Sequence, residues 1–214
     1  MAQARTRVKI CGITSAEDAI AAVEAGADAV GVILAPSPRQ VTLEAAVEAL
    51  SVVPPLVSRV GVFVDPTLEQ VREAVQRLRL DLVQFSGDES CELCVESPAP
   101  VLKTIQVGTT FDSESAEPYR GLVAALLVDK HVTGIRGGTG KALSWHTLHG
   151  SPEWAPLFVA GGLDPDNVGD AIRALHPFAV DVSSGVEERP GRKDHGKIRA
   201  FMAAVRAADS EVCR

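Results

Sequence analysis

Short apolar runs and helix-like stretches alternate along this 214-residue chain from end to end. The runs fall at 7–11, 29–34, 58–64, 81–85, 101–105, 124–128, 157–160 and 178–182. Most are rich in Val, Ile or Leu and are bounded by turn residues. Continuous apolar runs of this length suit parallel strands buried on both faces, not the polar–apolar alternation of a half-exposed strand. Between them lie helix signals. Ser15-Ala16-Glu17-Asp18 caps a first helix that Gly26 ends. Thr42 begins a second, and Asp65-Pro66-Thr67 precedes a third. A further helix is expected near 113–120, Asp164-Pro165 opens another, and Asp194 opens the last. Eight such units with no break in composition exceed the usual doubly wound sheet and predict an α/β chain closed into a (β/α)8 TIM barrel. No linker or charge block divides the chain, so one barrel domain over 1–214 is expected. About 250 residues is typical of this fold and roughly 200 its lower bound, so the barrel is a compact one.

A barrel places its chemistry at the C-terminal ends of its strands and a phosphate after strands seven and eight. The first strand, Val8-Lys9-Ile10-Cys11, ends at a thiol and leaves through Gly12. The sixth ends Leu126-Leu127-Val128-Asp129. A carboxylate there is costly to bury unless it is paired or used, although an N-cap or loop role is the alternative. Gly134, Gly137, Gly138 and Gly140 follow it, as in a mobile lid or a close backbone approach to a ligand. Ile135 and Ala142 break the nucleotide P-loop pattern in that stretch. Strand seven runs into Ala160-Gly161-Gly162-Leu163, and strand eight into Asp181-Val182-Ser183-Ser184-Gly185-Val186. Small residues leave backbone N–H groups open to an anion, and serine hydroxyls add donors. In Pro36-Ser37-Pro38-Arg39 the prolines restrict where an arginine able to clamp a carboxylate can point. Each feature alone has a plainer reading: a buried thiol, a solvated arginine, an ordinary glycine turn. Their joint register on one barrel face is what favours function.

Alternation puts Lys9 and Cys11 on one strand face. Closure sets the eighth strand, which ends near Asp181, beside the first. A Lys9–Asp181 ion pair is therefore expected, with the ammonium favouring thiolate at Cys11.

Composition narrows the partners. Aromatics at 4% and a net charge of -7 argue against a nucleic-acid surface, while still permitting one phosphate on backbone N–H groups. No apolar run approaches the roughly 20 residues of a membrane span, so no membrane partner is expected. The opening residues do not form a signal peptide, and a reducing, cytoplasmic location is expected. The four cysteines make no disulfide framework. Cys91 and Cys94 form a lone C-x-x-C, open to redox or zinc use but without partner ligands, and helix neighbours at that spacing share a face anyway. Cys213 falls in a tail expected to fray.

Several of these segments together carry a resemblance. They are Lys9-Ile10-Cys11-Gly12, Ser37-Pro38-Arg39, Gly61-Val62-Phe63-Val64, Gly137-Gly138-Thr139-Gly140, Ala160-Gly161-Gly162-Leu163, Asp181-Val182-Ser183-Ser184-Gly185-Val186-Glu187 and Pro190-Gly191-Arg192-Lys193-Asp194. The chain resembles the phosphoribosylanthranilate isomerases over nearly its whole length. The resemblance implies a barrel of the ribulose-phosphate-binding type and an Amadori rearrangement in tryptophan biosynthesis. Asp129 would be the general acid, Cys11 the general base, and Arg39 the ligand of the anthranilate carboxylate. Gly138, Gly161, Gly162, Asp181, Ser183 and Ser184 would contact a small phosphorylated substrate. No metal and no organic cofactor is implied, and the assembly would be a monomer or homodimer. Two departures stand out. Ser86 in Gln84-Phe85-Ser86-Gly87 replaces a histidine frequent in the family, and Lys130 follows Asp129 where a small residue is expected. Lys130 is expected to reach for solvent, since a cation turned toward Asp129 would oppose its role as acid.

Other sugar-phosphate barrels share the phosphate loops: a histidine-pathway isomerase, a ribulose-phosphate epimerase, a lyase like the tryptophan synthase α subunit. Cys11 and Arg39 speak against these, and the presence of both Cys11 and Asp129 speaks against a non-catalytic binding barrel.

Overall fold

The computed structural model describes residues 5–107, 111–130 and 153–212. Eight parallel strands close into a barrel in sequence order. They are β1 (Arg7–Cys11), β2 (Ala29–Ile33), β3 (Ser58–Phe63), β4 (Leu82–Phe85), β5 (Val101–Val107), β6 (Ala125–Lys130), β7 (Leu157–Ala160) and β8 (Ala179–Val182). The ring shuts where β1 pairs with β8, with Lys9 opposite Asp181. A two-stranded antiparallel hairpin follows, β9 (Glu187–Arg189) and β10 (Arg192–Lys193). The described helices are α1 (Ala16–Ala25), α2 (Leu43–Leu50), α3 (Leu68–Leu78), α4 (Cys91–Glu96), α5 (Val168–Leu175) and α6 (His195–Val212).

Two apolar layers explain why both faces of the strands are hydrophobic. Outward-facing Val8, Ile10, Val30 and Val32 pack in one cluster with Ala19, Ala22, Ala46, Ala49, Val71 and Ala74 of the helices. Alanine at these helix positions lets the helices approach the barrel closely. Inside the barrel, Leu102, Ala125, Leu127 and Ala160 form a separate cluster against Leu82 and Phe158. Every side chain named in these two clusters except Leu82 and Phe158 is buried. Apolar burial is worth about 25 cal/mol per Å² as an upper estimate.

Helix starts follow the capping signals. Ser15 accepts from the Asp18 N–H, Thr42 from Ala45, and Thr67 shares a reciprocal capping box with Gln70. Gly26, at φ 99°, ends α1 in the left-handed conformation that glycine adopts without cost. The Asp194 carboxylate accepts from the N–H groups of Gly196 and Lys197 at the head of α6.

Two expectations need correction. Residues 113–120 form no α-helix but two 3₁₀ turns, Ser113–Ser115 and Glu117–Tyr119. The Asp112 carboxylate binds the Glu114 N–H, the Ser115 hydroxyl donates to the Asp112 carbonyl, and Pro118 lacks a donor, so local bonds replace the helical ladder. The helix after β7 begins at Val168, later than Asp164-Pro165 signals. The Asp164 carboxylate instead closes a turn by accepting from Asp166 and Asn167. In addition, β6 continues through Asp129, so this carboxylate belongs to the strand itself. Among the described residues no helix is long and apolar enough to cross a membrane.

Candidate active site

Cys11 is the last residue of β1, and its neighbours on the inner face explain its environment. Lys9, two residues before it, is 1% exposed and donates to Asp181 Oδ1 at 2.8 Å. This is the pair expected from alternation and closure. A buried ammonium without a partner would be costly, so β8 supplies the anion. On β2, Gly31 stands opposite Cys11. A Cβ added at Gly31 would lie 3.2 Å from Cys11 Sγ and 3.3 Å from Lys9 Nζ. Glycine at that point makes room for both groups.

Charge at the thiol is set by opposing influences. Burial is the largest and pushes the Cys11 thiol above its ordinary value, with Asp181 adding to the rise. The Lys9 and Lys193 ammoniums pull it back. The expected pull of Lys9 toward thiolate is therefore present but outweighed by desolvation. Lys9 itself stays charged: burial works against it, yet Asp181 and Cys11 leave it pushed up to about 12.

Gly12, at φ 72°, turns the chain out of β1. A Cβ there would meet Arg39 Cδ at 2.8 Å and Ser183 Oγ at 2.9 Å. Arg39 and the loop after β8 thus converge immediately beyond the thiol. The Arg39 guanidinium already has a partner. Its Nε and Nη2 each donate at 2.7 Å to Glu187, a bidentate contact on one edge of the fork. The edge formed by Nη1 and Nη2 is the one that can meet a further carboxylate.

The loops after β7 and β8 stand side by side at the mouth, where barrels of this fold commonly bind a phosphate. Gly161 and Gly162 take positive φ of 90° and 76°, which orients their peptides in a way that few other residues allow. A Cβ at Gly185 would run into the Leu163 carbonyl, so the two loops touch. Asp129 lies on the same face of β6 as Leu127, which lines the barrel interior, and pairs in register with Ala160 of β7. Between β6 and β1 in the ring stand only β7 and β8. The acid and the thiol therefore flank the two glycine- and serine-bearing loops.

The family model for N-(5′-phosphoribosyl)anthranilate isomerase matches residues 8–204. The chain belongs to the phosphoribosylanthranilate isomerase family. It is 45% identical over 202 residues to the isomerase of Geobacter metallireducens, covering 94% of this chain and 99% of that protein. With an isomerase of Pseudomonas aeruginosa it shares 46% identity over 203 residues, 94% of this chain and 95% of the relative. The Thermotoga maritima phosphoribosylanthranilate isomerase superposes with a TM-score of 0.85 at 39% identity, covering 94% and 99% of the two chains. A phosphoribosylanthranilate isomerase in complex with reduced 1-(o-carboxyphenylamino)-1-deoxyribulose 5-phosphate superposes at 0.79 and 36% identity, with 94% and 99% covered.

Against the family pattern, Ser86 is held in a small polar cluster. Its hydroxyl lies 2.9 Å from that of Thr104, and Gln84 Nε2 donates to Ser86 at 3.1 Å and to Thr104 at 3.3 Å. Gln84 Oε1 is buried with no hydrogen-bond partner among the described residues. The other departure, the side chain of Lys130, lies outside the described residues, as do Gly138 with the whole stretch 131–152, and Cys213. Cys91 and Cys94 lie on α4, with Cys94 buried in the apolar layer between helices and strands. The Cys91 thiol donates to the Pro118 carbonyl, and burial pushes Cys94 up to about 11. Among the described residues no group of His, Cys, Asp or Glu is arranged to hold a metal ion.

Two residues of the mouth received no role from the sequence. Glu187 and Lys193 stand in two of the segments that carry the family resemblance, but neither has a role of its own there. The hairpin register places them opposite each other and turns both inward, while Glu188, Arg189 and Arg192 face solvent. The available signal was the Pro190-Gly191 turn between two short charged runs, with Gly191 at φ 80°.

Proposed function

We propose that this chain converts N-(5′-phosphoribosyl)anthranilate to 1-(2-carboxyphenylamino)-1-deoxyribulose 5-phosphate, with Asp129 as general acid and Cys11 as general base. Asp129 gives its proton to the furanose ring oxygen, the C1–O bond breaks, and a Schiff base forms between C1 and the anthranilate nitrogen. Cys11 thiolate removes the C2 proton, and the electron pair moves to give an enolamine. Tautomerisation delivers a proton to C1 and leaves the C2 ketone. Atoms and electrons balance with proton transfers alone, so the scheme calls for no metal and no organic cofactor.

The observation that carries this reading is the seat of Cys11. A thiol at the end of a barrel strand is held between a buried ammonium and a glycine that clears space for it, with Arg39 directly beyond. An inert core cysteine needs none of these. Arg39 would receive the anthranilate carboxylate on its Nη1–Nη2 edge. The loops bearing Gly161, Gly162, Ser183 and Ser184 would hold the phosphate, with Gly138 contributing from the loop after β6. Asp181 would contact the substrate while also holding the Lys9 ammonium.

The substrate is a small phosphorylated molecule, and neither nucleic acid nor membrane enters the scheme. A monomer or a homodimer would serve, since no step requires a second chain. The Thermotoga maritima relative is a dimer from which monomers have been generated. A phosphorylated substrate and free thiols at Cys11, Cys91 and Cys94 fit a reducing cytoplasm.

Product formation by Cys11→Ser and Asp129→Asn tests the assignment. Each variant should lose at least the roughly 10²–10⁴-fold usual for an acid–base group. Near-normal turnover by either one would remove that residue from the mechanism.

A further inference from the structure

Beyond Cys11 lies a buried charge cluster, and two of its members, Glu187 and Lys193, have no assigned part in substrate binding or proton transfer. The Glu187 carboxylate is 4% exposed and is fully engaged. Its Oε1 accepts from Arg39 Nε at 2.7 Å and from Lys193 Nζ at 2.9 Å, and its Oε2 accepts from Arg39 Nη2 at 2.7 Å. Lys193 has no exposed side-chain surface. Its Nζ also donates to the Ser183 carbonyl at 3.2 Å. The cluster is anchored behind: Lys197 Nζ donates to the Glu187 carbonyl, and the Lys193 N–H donates to Asp18.

Two consequences follow. First, two cations share one anion, so the cluster carries an uncompensated positive charge. Arg39, whose side chain is 20% exposed, is its member that reaches solvent. A substrate carboxylate placed on Arg39 would complete the balance. Second, the peptide is planar and trans, so a bond to the Ser183 carbonyl from Lys193 turns the Ser184 N–H the opposite way. Lys193 therefore fixes the direction of a donor in the loop expected to take phosphate. One continuous set of bonds runs from Arg39 through Glu187 and Lys193 to Ser183.

We propose that Glu187 and Lys193 are positioning residues for the isomerisation, a buried relay that ties the carboxylate-binding Arg39 to the phosphate loop and makes the two anionic ends of the substrate bind cooperatively. This rests on the isomerase reading above. Filling the phosphate loop steadies Ser183, hence Lys193 and Glu187, and hence the fork of Arg39. Neither residue touches the reacting atoms.

The test uses two probes, anthranilate and inorganic phosphate. Anthranilate affinity of the full chain is measured by titration with and without saturating phosphate. In the unsubstituted protein, phosphate should tighten anthranilate at least about five-fold, the lower range of a typical coupling between sites. Glu187→Gln and Lys193→Met, each checked for a native circular dichroism spectrum, should bring that factor to about one. They should raise KM for phosphoribosylanthranilate more than they lower kcat. A purely structural role would lower stability and leave the coupling intact. Coupling retained in either folded variant overturns the relay. So does its absence from the unsubstituted protein, which decides the matter even if a variant fails to fold. Turnover of phosphoribosylanthranilate by the unsubstituted protein is followed in parallel. Its absence would indict the isomerase reading, whereas turnover without coupling indicts the relay alone.

Discussion

Lys9 and Asp181 form a buried pair, yet they act on Cys11 with opposite sign, and this permits a sharp prediction. The Lys9 ammonium lowers the thiol's pKa, and the Asp181 carboxylate raises it. Lys9→Met should therefore move the alkaline rise of kcat/KM to higher pH. Asp181→Asn should move it to lower pH. The size follows from the geometry. Lys9 Nζ and Cys11 Sγ are both in van der Waals reach of one point at Gly31. At a separation of about 7 Å, the most this allows, two unit charges interact by about 2 kcal/mol at an effective dielectric constant of about 20. That is between one and two pKa units, or about 10- to 100-fold in the base form at a fixed pH below the pKa. Because burial already holds the thiol above its ordinary value, the unsubstituted enzyme should itself gain activity as pH rises above neutrality. Each variant also leaves one buried charge alone, which costs about 3–5 kcal/mol of stability. For a chain of this size that lowers Tm by roughly 6–20 °C, so the profiles belong at low temperature with folding verified. The assay is kcat/KM for phosphoribosylanthranilate across pH. Shifts of the same sign in both variants, or no shift in either, would refute the electrostatic account of Cys11.

Three further outcomes follow from the structure. Gly31→Ala places a methyl within 3.3 Å of Lys9 Cε, Lys9 Nζ and Cys11 Sγ, and should cost about 1–3 kcal/mol by urea denaturation while lowering kcat. An unaltered kcat would show that the thiol tolerates displacement. Glu187 has a carboxyl that burial alone would raise but that Arg39 and Lys193 hold below its ordinary 4.5. Its stabilisation is complete above about that pH and is lost as pH falls through the lower folded value, so the stability gap between the unsubstituted protein and Glu187→Gln should shrink on acidification. A gap independent of pH would contradict the ion-pair reading. Thr67→Ala removes the cap of α3, a helix that supplies no residue to the candidate site, and should lower stability by about 1 kcal/mol with kinetics unchanged.

Much of this architecture was legible because a parallel barrel writes its strands as continuous apolar runs. The Lys9–Asp181 contact is legible in the sequence, since strand alternation and ring closure suffice to bring those positions together. The 3₁₀ turns at 113–119 were not legible. The alternation of strands and helices called for a helix there, but Asp112, Ser115 and Pro118 compete locally with the helical ladder. Arg39 stood out as an arginine able to meet a carboxylate, whereas its engagement with Glu187 was hidden. That contact spans 148 positions and depends on a hairpin that folds Glu187 and Lys193 inward from a stretch of mixed charge. Pairing across a short hairpin is set by its turn and register, and composition carries no trace of it.

The most direct test of the account is the fluorescence of phosphoribosylanthranilate after the protein is added. The account predicts a decay many times faster than the spontaneous loss, proportional to protein concentration and abolished by Cys11→Ser. Folded protein that leaves the decay at its spontaneous rate would contradict it.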